Sequence, residues 1–247
     1  MALKCGMNVV GVHRGNYPEQ ARALQDELRG AGRRCELLVG DAGRMSTLHP
    51  LLDQVKAMVP PGQLRIFVHS LADASRGLIV HEDPTKRVHV KQILKTMEVM
   101  AHSFLVWGQE LFEAGLLGEG SQLLALPNHA ETVYVRGFAP IGVAKAALNA
   151  YVHYMALELA PHGIRVNGLR FGPTLTEGLR RMRPNDGDMA IWRNIAPTGQ
   201  LTTTADVGDF VELMVDSRAR WLTGSIIDLT GGWHLAIADS VLGPPRA

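Results

Sequence analysis

The chain has 247 residues, 46% of them hydrophobic, which is enough for one domain with a full-sized core. Its 25 basic and 24 acidic residues nearly cancel. Charge therefore predicts neither a nucleic-acid partner nor attachment to an anionic membrane surface. The apolar run that follows Lys4 is too short for a signal peptide, and nothing approaches the roughly 20 apolar residues of a membrane span.

Cysteine and histidine usage argues against disulfides and metals. Only Cys5 and Cys35 occur, without metal-ligand spacing, so a reducing cytoplasm is the expected location. The ten histidines are scattered singly, and neither H-x-x-H nor H-E-x-x-H is present. No metal site is expected on these grounds.

Short β-branched runs alternate with helical stretches along the chain. Strands are predicted at 8–12, 35–39, 65–69, 122–126, 165–171 and 225–229, and helices at 18–32, 46–59, 88–115, 139–163 and 205–217. One helix between successive strands implies right-handed crossovers and a mostly parallel sheet covered on both faces. Only RRMRPNDGD (180–188) has the composition of a polar loop, of the kind that covers a substrate in an active relative. The expected fold is α/β, one doubly wound domain over residues 1–247.

Two of the predicted helices carry more apolar surface than one sheet can cover. From Ala144 to Ala160 the helix 139–163 has few strongly polar residues, and MEVMAHSFLVW (97–107) in the helix 88–115 is similar. The surplus predicts a helix–helix subunit interface. The alternative is that another segment of the same chain covers both helices, although no spare segment is visible.

Four segments in order resemble the short-chain dehydrogenase/reductase family, and in style its enoyl-thioester reductase branch. They are FVHSLADAS (67–75), GVAKAALNAYVHYMALELAPHGIRVNGLRFGPTLTEG (142–178), APTGQLTTTADVGDFVELMVD (196–216) and TGSIIDLTGGW (223–233). The resemblance implies a Rossmann-like doubly wound sheet of seven strands, a nicotinamide cofactor and a dimer or tetramer.

The start of the chain departs from the family pattern. Members of the family open with a strand and a glycine-rich turn whose backbone N–H groups approach the cofactor pyrophosphate. Here the first residues match the end of the first family helix and then the second strand, so the first strand and the glycine-rich loop are expected to be lacking. By resemblance, Arg14 would meet the adenosine ribose or its phosphate, Asp41 the adenine and Thr176 the nicotinamide end. Each could equally be an ordinary loop residue, and no cofactor is expected to bind this chain.

The catalytic positions depart as well. Lys145 matches the family lysine, but the partner tyrosine falls on Ile141 under the common spacing and on Phe138 under the enoyl-reductase spacing. Neither side chain can exchange a proton. Asn128 stands near the position of the family serine, and the spacing of Tyr134, eleven residues before Lys145, favours ordinary packing over a role as substitute acid. These residues are interpreted as remnants of a catalytic site, with a structural role preferred for Lys145.

The functional expectation is a catalytically inactive subunit of a hetero-oligomer. Its partner would be a full-length, active short-chain dehydrogenase that binds NAD, with two copies of each chain in a heterotetramer. The resemblance extends to a complex that oxidises a 3-hydroxyacyl-CoA, 2-[hydroxy(phenyl)methyl]succinyl-CoA, in anaerobic toluene degradation. One alternative is a divergent enoyl-thioester reductase, acting on acyl-carrier-protein or CoA substrates, whose start lies upstream. The other is a non-redox enzyme or small-molecule binder that uses the old pocket beside Phe138.

Overall fold

The computed structural model describes residues 2–174, 176 and 186–242. Its strands are β1 Val9–His13, β2 Cys35–Val39, β3 Ile66–His69, β4 Gln122–Ala125, β5 Arg165–Phe171 and β6 Ile226–Leu229. Its helices are α1 Pro18–Gly30, α2 Met45–Met58, α3 Val90–Met97, α4 Ser103–Glu113, α5 Ala139–Leu159, α6 Asp186–Ile195, α7 Thr204–Val215 and α8 Ile237–Leu242. Each strand lies within one residue of its predicted start.

The strands pair in parallel, as the alternation of strands and helices predicts. Strands β1 and β2 form one ladder, and β3, β4, β5 and β6 form a second sheet in that order. Among the strands that the structure describes, no ladder joins β1 to β3. In the described part of the chain the parallel strands therefore form two ladders that are not joined to each other.

Strand β4 shows why both faces of the larger sheet must be covered. Successive side chains of a strand point to opposite faces. Leu123 and Ala125 pack with helices α4 and α5, whereas Leu124 packs with α7, and all three side chains are fully buried. Helices therefore cover the sheet on both sides, which confirms the doubly wound α/β architecture.

The predicted long helix 88–115 is interrupted by a wider π-helical turn at Glu98–His102, which separates α3 from α4. The Ser103 hydroxyl donates a hydrogen bond to the Val99 carbonyl at 2.7 Å, next to this turn. Such a side-chain bond to the preceding turn competes with the regular backbone ladder and bends helices. Helical periodicity does not reveal this local competition.

The polar loop predicted at 180–188 lies mostly outside the described residues, and its last three positions belong to α6, which begins at Asp186. The sequence interpretation missed this helix and the short α8. None of the helices in the described ranges is both long enough and apolar enough to cross a membrane.

Gly142 packs helix α5 against the loop that follows β4. A Cβ atom on Gly142 would stand 2.6 Å from the carbonyl oxygen of Ala130, whereas one on Gly30 at the end of α1 would meet no atom within 4 Å. Backbone cannot move aside as a flexible side chain can. We therefore expect Gly142→Ala to lower the free energy of unfolding by about 1–3 kcal/mol.

The matched control is Gly30→Ala, which we expect to raise that free energy by at most about 1 kcal/mol because alanine favours helix. Urea unfolding of both variants measures the difference. Equal effects of the two substitutions would contradict close packing of α5 on the Ala130 carbonyl.

Candidate functional site

The candidate site lies where β3 and β4 end and α5 begins. The carboxyl ends of parallel strands meet at one edge of a sheet, and ligand sites of doubly wound folds form outside that edge. Helix α5 begins after Phe138 with Pro140 in its first turn, where the fixed proline φ favours a helix and no backbone donor is lost. The side chains of the loop 126–138 therefore lie near the carboxyl ends of the strands.

Lys145 is buried in this arrangement, with 3% of its surface exposed. Its ammonium group donates a hydrogen bond to the Leu126 carbonyl at 2.9 Å, which ties α5 to the end of β4. Burial lowers the pKa of Lys145 to about 8, and the nearby Glu131 carboxylate opposes part of that effect. No hydroxyl is among the recorded hydrogen-bond partners of its ammonium group in the described residues.

The two positions at which the family tyrosine is expected, Ile141 and Phe138, carry hydrocarbon side chains. Ile141 is 8% exposed and belongs to the main core. Phe138 precedes the first turn of α5, is partly buried, and has the Arg76 guanidinium 5.9 Å above its ring centre. A phenyl ring can form a cavity wall and attract a cation, but it offers no proton.

The structure does not bring Asn128 and Tyr134 to Lys145. The Asn128 side chain accepts a hydrogen bond from the Ala130 backbone N–H at 3.0 Å and so caps the short turn His129–Glu131. Tyr134 is 87% exposed. Asn128 thus acts on the local backbone, and the Tyr134 hydroxyl points to no described catalytic partner.

Sequence reasoning missed a buried pair beside the lysine. His69 ends β3, and its Nε2 lies 2.7 Å from the Ser103 hydroxyl. Because that hydroxyl already donates to a carbonyl, we assign His69 Nε2 as the donor. Burial and then the Lys145 charge lower the pKa of His69 to about 3, so its ring is neutral. The available signal was a serine inside the apolar run 97–107, since a buried hydroxyl needs a partner.

An apolar cavity of about 390 Å³ opens beside Phe138. Its walls include Ile79, Tyr134, Val135, Phe138, Val143 and Ala146. Glu131 also lies on its wall, where its carboxylate accepts hydrogen bonds from the Arg170 guanidinium at 2.7 Å and from the Asn149 amide at 2.9 Å. The cavity walls are therefore mostly hydrocarbon, and both contacts to the Glu131 carboxylate go to its Oε1 atom.

Arg14 and Asp41, the two residues expected at the adenosine end of a dinucleotide, make contacts within the chain. Arg14 forms an ion pair with Asp73 at 2.8 Å, and Lys95 approaches the same carboxylate at 3.3 Å. Asp41 accepts a hydrogen bond from the Gly43 backbone N–H at 3.0 Å. Thr176 is exposed and outside any described helix or strand. In this structure Arg14 is therefore ion-paired and Asp41 closes its own turn.

Comparison with known protein families identifies the family of this chain. A family model described as enoyl-(acyl carrier protein) reductase matches residues 2–234. The chain belongs to this family, an enoyl-reductase branch of the short-chain dehydrogenases/reductases.

Individual relatives agree with this assignment. The chain is 28% identical over 179 residues to an enoyl-(acyl-carrier-protein) reductase (NADH) of Aquifex aeolicus, a match that covers 70% of this chain and 63% of the relative. It is 32% identical over 120 residues to the Bacillus cereus enzyme of the same name, a match that covers 49% of this chain and 47% of that enzyme. The chain thus spans less than two thirds of the length of both relatives.

A solved short-chain dehydrogenase/reductase from Serratia marcescens superposes with a TM-score of 0.79 at 20% identity. That match covers 92% of this chain and 87% of the other. At this identity the likeness shows the fold alone.

The depressed pKa of Lys145 predicts a pH-dependent stability. Between pH 8 and the ordinary lysine pKa of 10.5, the unfolded chain binds a proton at this side chain that the folded chain has lost. Stability contributed by this group therefore rises with pH across that window. Relative to that of Lys145→Met, the free energy of unfolding of the wild type should rise by roughly 3 kcal/mol between pH 7 and 10.5.

Chemical unfolding of both proteins across this pH range measures the difference. The matched control is the exposed Lys56→Met on α2, which lacks the burial that causes the effect. A difference in unfolding free energy between wild type and Lys145→Met that does not change with pH would contradict a desolvated ammonium at this position.

Proposed function

We propose that this chain uses the enoyl-reductase fold to bind the acyl part of a thioester in the cavity beside Phe138. The observation that carries the proposal is the cavity itself, about 390 Å³ with apolar walls. Small-molecule sites typically enclose about 300–1,000 Å³. The relatives are named for enoyl groups carried on acyl carrier protein, which makes an acyl thioester the ligand class to test.

The cavity suits binding better than reduction. An alkyl chain gains about 0.8 kcal/mol for each methylene that leaves water, and Phe138, Val143 and Ile79 offer the necessary contacts. Reduction of an enoyl thioester also needs a donor for the carbonyl oxygen as charge develops there. Phe138 occupies the expected donor position, and Lys145 is committed to the Leu126 carbonyl. The proposed role is therefore recognition of the acyl group.

The interrupted sheet supports the same proposal. The resemblance places a strand with the phosphate-binding turn between β1 and β3, and the described residues supply none there. Together with the Arg14–Asp73 ion pair, this argues that the described residues do not hold a dinucleotide on their own. A strand from outside the described residues could still complete the sheet.

A second candidate function is the inactive subunit of a heterotetramer, and a specific surface favours it. Helix α5 exposes Val143 to 54%, Tyr154 to 66% and Leu157 to 73%. These positions recur at helical spacing on one face. Neighbouring α3 adds Val90 at 69% and Leu94 at 60%. In this proposal a full-length short-chain dehydrogenase covers the face, binds NAD and oxidises a 3-hydroxyacyl-CoA such as 2-[hydroxy(phenyl)methyl]succinyl-CoA.

Ala146 and Ala150 give a matched test of the cavity. Both are exposed on α5 one turn apart, but only Ala146 lines the cavity. Ala146→Trp should fill the cavity and weaken binding of a medium-chain enoyl-CoA at least about tenfold, or 1.4 kcal/mol. Ala150→Trp should leave the affinity unchanged.

Isothermal titration calorimetry of the purified chain with the enoyl-CoA and with free CoA measures these affinities. Binding of free CoA as tight as that of the enoyl-CoA, or equal losses in both variants, would overturn the acyl-binding role.

The subunit proposal predicts a stoichiometric complex. The tagged chain, isolated from its own host, should elute with a full-length short-chain dehydrogenase identified by intact mass. Leu157→Glu should dissociate the complex because a carboxylate would be buried without a partner. Leu24→Glu is the control, since Leu24 is also exposed but lies on α1. A monomer of the wild-type chain, or dissociation by both variants, would contradict this role.

A further inference from the structure

Three residues from two separate segments of the chain meet beside Arg170. His129 follows β4, Asp228 lies in β6 and His234 follows β6. One ligand atom from each lies within 4.8 Å of the others. His129 Nε2 is 3.2 Å from one Asp228 carboxylate oxygen, and His234 Nε2 is 3.7 Å from the other.

The His129 ring carries the strongest indication that something belongs between these groups. It is 6% exposed, and its Nε2 has no hydrogen-bond partner in the structure although it faces the Asp228 carboxylate. A buried polar atom without a partner is costly, and most such atoms in native proteins have one. A cation between the nitrogen and the carboxylate would satisfy both.

The charges around the cluster favour a cation. Arg170 donates to both Asp228 oxygens, at 2.7 and 2.9 Å, and to Glu131 at 2.7 Å. With neutral imidazoles, the two carboxylates and the one guanidinium leave a net charge of −1. Each carboxylate oxygen has two acceptor positions, so the bidentate Arg170 leaves one on each oxygen for another partner.

The second histidine is already oriented. His234 Nδ1 lies 2.8 Å from the Thr230 hydroxyl, which accepts a hydrogen bond from the Gly232 backbone N–H at 3.2 Å. A hydrogen bond at one imidazole nitrogen fixes the ring and leaves the other nitrogen available as a ligand. The nitrogen that is left available here is the one that faces Asp228.

We propose that His129, Asp228 and His234 form a Zn²⁺ site. Two imidazole nitrogens and one carboxylate oxygen are a ligand set that Zn²⁺ accepts, with water in the fourth tetrahedral position. A tetrahedral Zn²⁺ with bonds of about 2.0–2.2 Å holds its ligand atoms about 3.3–3.6 Å apart, so the groups must draw together. His234 can do this, because its side chain is 21% exposed and now stacks on His129 with ring centres 4.4 Å apart.

The site would join the loop after β4 to the segment after β6. The spacing rules that predicted no metal fail for such a site, because its ligands come from positions 129, 228 and 234. Binding of zinc here is independent of acyl-thioester binding.

The test is a zinc titration of the chelator-treated protein in competition with a chromophoric chelator. The wild type should take up a single equivalent of Zn²⁺, and neither Mg²⁺ nor Ca²⁺ should compete, since both prefer all-oxygen ligands. His234→Ala should lose this uptake, and Thr230→Ala should weaken it by about 10–100-fold. The control is His153→Ala, an exposed histidine of α5.

His234 is partly exposed, so its replacement should leave the fold intact, and far-UV circular dichroism checks this. Absence of stoichiometric uptake by the wild type would overturn the proposal. So would unchanged uptake by a folded His234→Ala, or equal loss in His153→Ala.

Discussion

A single hydrogen bond from the buried Lys145 ammonium to the Leu126 carbonyl joins α5 to the end of β4. It forms where water is excluded, which strengthens the bond and also makes a lost partner expensive. The bond contributes to holding α5, which carries Val143 and Ala146 of the cavity wall, against the sheet. In this chain the lysine therefore has a structural task that does not require a neighbouring phenol.

A chain of ionic and polar contacts extends this anchoring across the sheet. Asn149 on α5 donates to Glu131, Glu131 accepts from Arg170 on β5, and Arg170 holds Asp228 on β6. Asn149, Glu131 and Arg170 are partly buried, whereas Asp228 is exposed. The charge-assisted bonds to Glu131 are therefore less screened by solvent than those to Asp228. At one end of this network Glu131 lines the apolar cavity, and at the other end Asp228 is one of the proposed zinc ligands. The network accounts for a cavity wall that carries an acid without presenting an unpaired charge.

Periodicity in the sequence predicted the order and type of most elements, because β-branched runs and apolar helical faces are local signals. Strands β2 and β5 have the predicted boundaries. The π turn at Glu98–His102 was not predictable in this way, since it depends on one serine hydroxyl and its carbonyl partner. The break between β1 and β3 is a question of strand pairing, which local patterns do not determine.

For the site, the sequence predicts that Phe138 and Ile141 stand where the family carries a proton donor beside its lysine. It could not show that Lys145 reaches the Leu126 carbonyl, that Asn128 only caps a turn, or that Arg14 is paired with Asp73. These contacts join residues 19, 2 and 59 positions apart. The two long-range contacts exist only once the strands have assembled.

We propose that this enoyl-reductase fold recognises an acyl group while its own residues do not hold a dinucleotide. The most direct test is to titrate the purified chain with NADH and NADPH and to follow the fluorescence of the reduced nicotinamide. The proposal predicts no saturable change, in a sample that binds enoyl-CoA. Micromolar binding of either dinucleotide by the chain alone would contradict it.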